Sequence, residues 1–173
     1  TVAAPFTRAR PQGPWSTLDA FELPVRLHVP KNTDGHQNAR DLQSIEDAYT
    51  ALISEGWSVP WLDGTRGGNP AIDMYEVPES DCHDACSAID GAQLPSDFDS
   101  AQSYALIARE LAADEREACI YSALAQAGLR AADPAEAESW TRASAELFTW
   151  HWTGAPGCRD SLVLAQANPE RGL

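Results

Sequence analysis

The sequence is nearly without lysine and methionine: Lys31 and Met74 are the only ones, and the other eleven basic residues are arginines. Base is scarce overall, with 12 basic residues against 26 acidic ones and a formal net charge of −14. A chain this acidic repels phosphate backbones and anionic headgroups, which argues against nucleic-acid binding and against adsorption on anionic lipid. No apolar run approaches the ~20 residues needed to cross a bilayer, so no membrane insertion is expected. There is no internal repeat and no low-complexity tract. Histidine is sparse too. His28, His36 and His151 lie far apart, none beside a serine or cysteine in a nucleophile motif, and each is expected to be structural or exposed. His28 in particular is expected to face outward.

Four cysteines are present: Cys82, Cys86, Cys119 and Cys158. An even count without Cys-x-x-Cys spacing favours disulfides in an oxidising compartment, so a secreted or periplasmic location is expected. The favoured pairing is Cys82–Cys86 as a local clip and Cys119–Cys158 as the long bridge. The long bridge would contribute roughly 4 kcal/mol in the chain-entropy model. Thr1-Val2-Ala3-Ala4-Pro5 suits a mature N-terminus after signal removal. The last residues show no closing element, which suggests the front part of a longer precursor.

Patterning suggests an extended arm over 1–20, holding Pro5, Pro11, Gly13 and Pro14 and anchored by Trp15. A single α+β domain follows over 21–158, then a tail over 159–173 leading toward a precursor region. Leu23, Val25, Leu27 and Val29 alternate as in a strand, with Pro24 marking an edge or a strand start. Leu42, Ile45, Tyr49, Leu52 and Ile53 form a helical stripe, with Asn38 as N-cap, Asp41 in the first turn and Gly56 at the C-terminal end. Residues 71–77 read as a strand stopped by Pro78. Residues 103–108 fit a buried strand or a helix start. Residues 115–130 are apolar nearly all round, as in a central, closely packed helix. Asp133-Pro134-Ala135-Glu136 signals another helix start, with Trp140, Ser144, Leu147, Phe148 and His151 on one stripe and Gly154 at its end. The fold class expected is α+β, a small sheet packed against several helices.

The order of these segments resembles the amino-terminal half of a group of secreted bacterial zincin-like metallopeptidases. The resemblance rests on Val25-Arg26-Leu27-His28-Val29, on Glu46-Asp47-Ala48-Tyr49, and on Asp63-Gly64-Thr65-Arg66-Gly67-Gly68 leading into Ile72-Asp73-Met74-Tyr75. A buried helix and a Trp140-containing helix then follow. In that group the buried helix carries His-Glu-x-x-His. Here Tyr121 and Ser122 stand in place of the first His and the Glu, and Ala125 in place of the second His. Alanine offers no lone pair to zinc and no carboxylate to a water. The resemblance therefore implies the fold of a zincin-like domain, a pseudoenzyme without metal, cofactor or catalytic residues.

Other constellations are weighed against plainer readings. Cys82-His83-Asp84-Ala85-Cys86 clusters two thiols and an imidazole, so the alternative reading is a hydrolase or metal-binding protein whose catalytic groups lie around Cys82, His83 and Cys86 or in a C-terminal part of the precursor. Asp97, Asp99, Glu110, Asp114, Glu115 and Glu117 suggest a carboxylate pair, but in so acidic a chain a solvated face is expected. Asp63 with its glycines reads as a turn rather than a calcium loop. Of six tryptophans, Trp57, Trp61, Trp150 and Trp152 are the candidate binding residues, because aromatic anchors dominate interfaces. The reading is a non-catalytic secreted domain that contacts a protein partner or the remainder of its own precursor.

Overall fold

The computed structural model describes residues 7–82, 87–90 and 101–157. It is an α+β fold built on a six-stranded mixed sheet. The strands are β1 (Thr7–Arg8), β2 (Trp15–Asp19), β3 (Val25–Pro30), β4 (Ile72–Val77), β5 (Ser87–Asp90) and β6 (Ser103–Ala108), in spatial order β1-β5-β6-β4-β3-β2. The helices are α1 (Gly35–Ser54), the single turn α2 (Glu79–Cys82), α3 (Ala113–Ala132) and α4 (Glu138–Thr153). β2 runs antiparallel to β3, β3, β4 and β6 are parallel to one another, and β5 is antiparallel to β6.

Side-chain alternation divides the sheet into two unlike faces. Val25, Leu27, Val29, Ile72, Met74, Ala105 and Ile107 meet α1 and α3 in the main core. The opposite face carries Tyr75, Val77, Ala88, Tyr104 and Leu106, with Trp15 against them. Among the described residues the helix against it is the single turn α2, through Cys82. The segment between β1 and β2 also runs across it, and the Tyr104 hydroxyl donates to the Ala9 carbonyl.

β3 begins directly after Pro24 and lies between β4 and β2, so this proline marks a strand start and not an edge. Residues 15–19, read as the end of an arm, form an edge strand because each pairs with β3. α1 starts earlier than its sequence suggests: Asp34 caps it by accepting from the His36 N–H, and Asn38 is already inside the helix. Residues 103–108 are a strand, buried along its whole length. α4 starts at Glu138 with Ala137 at the cap, and Asp133 to Glu136 form a separate turn in which the Asp133 carboxylate accepts from the Ala135 N–H.

α3 is buried on nearly every side from Ala118 to Ala127. Its run of alanines lets the sheet, α1 and α4 all approach its axis, since a methyl group leaves room where a larger side chain would hold a neighbour off. At Gly128 the loop after α1 comes in as well, and the Ser58 carbonyl fills the space a Cβ would need. An interior helical Gly→Ala change ordinarily stabilises by about 1 kcal/mol. At Gly128 the new Cβ would collide with backbone that cannot rotate away. Gly128→Ala is therefore expected to destabilise the protein by about 1–3 kcal/mol, read as a lower urea midpoint; a raised midpoint would contradict this packing.

Candidate functional site

β4 is the element that collects the charged side chains. Its even and odd positions deliver Glu76 to the helical face and Asp73 to the opposite one. Asp73 is fully buried, and its two oxygens have different partners. Oδ1 meets His28 Nε2 at 2.7 Å, and Oδ2 takes the Arg10 guanidinium. Arg10 also pairs with Asp63 Oδ2 at 2.7 Å and reaches the Tyr75 hydroxyl at 3.4 Å. Its guanidinium carbon lies 5.5 Å from the centre of the Tyr104 ring. His28 stacks on Tyr75 at 4.2 Å, and Trp15 closes the group edge-on to both rings. The expected outward-facing His28 is thus a correction. It does leave the main core, but the face it enters is covered, because Trp15 and the residues before it lie over it.

Asp63 accepts the Gly67 N–H at 3.1 Å, the bond of a glycine-rich turn. Gly67 lies so close to Asp73 that any Cβ there would overlap the carboxylate. The two acids diverge in acidity. Burial and the adjacent Asp73 push Asp63 up to about 6, against the pull of Arg10. Burial also opposes ionisation of Asp73, but hydrogen bonds from His28 and Asp63 and the charges of His28 and Arg10 outweigh it, so its pKa is lowered. Tyr75 is pushed up to about 12 by burial and by Asp73. His28 Nδ1 and Asp63 Oδ1 are buried without a hydrogen-bond partner.

On the helical face, Arg116 of α3 joins Asp41 of α1 at 2.5 Å and Glu76 of β4 at 3.1 Å, all three buried. Burial alone would lower the guanidinium, and Asp41 and Glu76 raise it. Asp41, expected to serve the first helical turn, is instead half of this cross-link between elements. An open cleft of about 270 Å³ lies beside it, with Gln37, Arg40, Ser44 and Ala113 on its walls.

The part of α3 where the resemblance locates His-Glu-x-x-His holds a third polar group. Tyr121 and Ala125 are buried in the main core. Ser122 donates to Glu146 of α4 at 3.2 Å and accepts from Gln126 at 3.1 Å. Glu146 also takes the Gly157 N–H at 2.6 Å. Burial raises the Glu146 pKa, while Gly157, Ser122 and Arg142 oppose the rise. These contacts tie α3, α4 and the segment after Gly154 together. Among the described residues no three His, Cys, Asp or Glu side chains are arranged to hold a metal ion.

The candidate tryptophans divide. Trp57 is half-buried, its ring 5.1 Å from Phe148, and belongs to the main core. Trp61, Trp150 and Trp152 are exposed. The expected stripe of α4 is also corrected. Thr141, Ala145, Phe148 and Thr149 face inward, whereas Trp140, Leu147 and Trp150 are 62, 69 and 58 % exposed. At 100° per residue these three share one arc on the side away from the core. His151, exposed, lies 3.9 Å from Glu55 at the end of α1.

Cys82 ends α2, half-buried against the strapped face, and Cys119 is buried on α3. Their expected partners Cys86 and Cys158, and the metal candidate His83, lie outside the described residues, as do Asp97 and Asp99. Glu110 accepts the Glu79 N–H at 2.8 Å, and Glu117 is exposed.

Sequence reasoning missed Arg10, Asp73, Arg116, Glu76 and Glu146. A signal existed for one of them, since Asp73 interrupts an otherwise apolar strand, and a carboxylate there requires a cation or donor. The chain matches no family model, no curated protein and no solved structure.

Two outcomes follow from the strapped cluster. Removing the Arg10 charge, as in Arg10→Met, leaves two carboxylates buried without their cation and is expected to cost about 3–5 kcal/mol by urea denaturation at neutral pH. Asp63 keeps its proton in the folded state to about pH 6, whereas an ordinary aspartate loses it near 3.8. Its contribution to stability is full below 3.8 and declines as pH rises through about 6. Asp63→Asn removes that decline. The difference in Tm, wild type minus variant, is expected to shrink between about pH 5 and about pH 7.5; a difference that widens over this range would contradict the assignment.

Proposed function

We propose that this is a non-catalytic, secreted binding domain that engages a protein partner through the outer face of α4. One observation carries the reading: α4 is apolar on both sides. One side packs on α3, and the other presents Trp140, Leu147 and Trp150 to solvent. Large aromatic and aliphatic side chains grouped on one exposed helical face are the usual anchors of a protein interface. The net charge of −14 supports a protein partner over a nucleic acid or an anionic membrane. No described helix is long and apolar enough to cross a membrane.

Two observations favour binding over catalysis. Ser122 and Glu146 are engaged with each other and with Gln126 and Gly157. The His28–Asp73 pair lies buried beneath Arg10 and Trp15, away from solvent. The reading extends to a zincin-like pseudoenzyme, with Tyr121, Ser122 and Ala125 where the metal-binding motif would lie. It also includes disulfide pairing of the four cysteines in an oxidising compartment.

The test is a triple variant, Trp140→Ser, Leu147→Ser and Trp150→Ser, compared with wild type. Since all three side chains are exposed, the variant is expected to keep its Tm while losing binding to a partner cross-linked through a photoreactive residue at position 147. Partner binding unchanged in the triple variant would refute the α4 face. Peptide hydrolysis by the wild-type chain, abolished by Glu146→Gln, would refute the non-catalytic reading.

A further inference from the structure

After α4 the chain turns back on itself. Gly154 ends the helix in the left-handed region at φ 67°, and the Ala155 N–H donates to the Thr153 hydroxyl at 3.2 Å. Three residues on, Gly157 is buried alongside Glu146, about two helical turns before the end of α4. Its N–H donates to the Glu146 carboxylate at 2.6 Å, and a Cβ there would meet both Glu146 and Ser122. The chain therefore leaves the described part of the fold fixed against α4, having reversed along it.

It leaves at the border of the exposed arc. Ala143 and Trp150, three residues before and four after Glu146, are neighbours of Glu146 on the helix surface. Their arc runs through Trp140, Ala143, Ser144, Leu147, Trp150 and His151, within about 120° at 100° per residue. None of the six is a carboxylate, although 26 of the 173 residues are acidic. Among the described residues no element covers Trp140, Leu147 and Trp150.

The sequence beyond Gly157 has matching character. Ser161 to Pro169 carries no charge, and Leu162, Val163 and Leu164 stand together within it. Residues 158–173 are neutral as a whole, with Arg159 and Arg171 against Asp160 and Glu170. Five to seven residue steps from Gly157 reach about 17–25 Å. Trp140 to Trp150 spans about 15 Å of helix, so the three aliphatic residues are within reach of the whole arc. A second copy of the chain is a weaker occupant, because each copy brings a net charge of −14 to a small contact. A tethered, uncharged segment meets no such repulsion and is present at an effective concentration on the order of millimolar.

We infer that Leu162, Val163 and Leu164 cover the outer arc of α4 in the free protein, and that a protein partner takes the arc by displacing them. The inference rests on the α4 reading above and adds its regulation. The face is occluded in cis, and the partner's apparent affinity falls by the fraction of molecules whose cover is in place.

A photoreactive residue at position 163 of the full-length chain is irradiated at low protein concentration, and the cross-linked peptides are mapped. The expected product is monomeric, with position 163 joined to residues 140–151. In a second measurement, Leu162→Ser, Val163→Ser and Leu164→Ser are made together and Nile red is added as a neutral probe of apolar surface. Its fluorescence is expected to rise about threefold over wild type. Adding Trp140→Ser, Leu147→Ser and Trp150→Ser to that chain is expected to abolish the rise. If the serine variants do not fold, the cross-link decides. Position 163 joined elsewhere on the fold, or no intramolecular product, would overturn the proposal. A product formed only between two chains would overturn it in favour of a second copy. Dye fluorescence unmoved in a folded Leu162, Val163 and Leu164 variant would overturn it as well. A partner that binds the Trp140, Leu147 and Trp150 variant unchanged refutes the α4 reading, and with it the displacement step, whereas the cross-link reports on the cover alone.

Discussion

A carboxylate on a central strand of a buried sheet must be matched by cations and donors, or it will not remain ionised. Asp73 sets that requirement, and much of the sheet face opposite α1 and α3 answers it. His28 on the neighbouring strand supplies one partner, Arg10 another, and Gly67 leaves the space that the carboxylate fills. Arg10 can reach only because the N-terminal chain crosses the sheet, and that path sets the positions of Ala9, Pro11 and Trp15. Asp63 brings a second negative charge beside the first, so the cluster is most stable while one proton is retained. The helical face solves a similar problem with Arg116 between Asp41 and Glu76. In both clusters one arginine is shared by two acids from different elements. A planar guanidinium with five donors suits that task, and the near-absence of lysine is consistent with it.

The helical face was legible in the sequence where periodicity and burial coincide. Ile45, Tyr49 and Leu52 on α1, the β4 segment and the all-round apolar α3 follow their patterns closely. Errors arose where local signals competed with tertiary ones. Asp133-Pro134 has the form of a helix start, yet the chain completes a turn first and opens α4 at Glu138. Trp140 and Leu147 belong to an apolar pattern on α4, but periodicity cannot tell which of two apolar faces looks inward; contact with α3 chose the side of Phe148. His28 alternates out of the main core as its strand predicts. What alternation does not contain is that a segment more than ten residues earlier returns to cover it.

The candidate sites show the same division. The absence of histidine from α3 was visible in the sequence; the exposure of Trp61, Trp140, Trp150 and Trp152 was not, because core packing is the commoner place for a tryptophan. The buried polar pairs were not, because Arg10–Asp73, Arg116–Asp41 and Ser122–Glu146 join residues separated by 63, 75 and 24 positions. No local pattern encodes such pairings. The small side chains of Ser122 and Ala125 also bear on what α3 can do mechanically. With small side chains it accepts α4 at close range, and Glu146 of α4 then caps the Gly157 backbone.

The segment between β1 and β2 also bears on the order of folding. The β2–β3 hairpin and the β3–α1–β4 crossover close over short or moderate separations, whereas β1 meets β5 only when Thr7 finds Ile89. Loop closure over that distance gains two paired residues among those described, so it is expected late in folding. Until then Asp73 and His28 lie open to water, and the sheet has one finished face and one wet face. A two-residue pairing has few bonds to break, so the β1 amides are expected to exchange faster than those of the central strands β4 and β6.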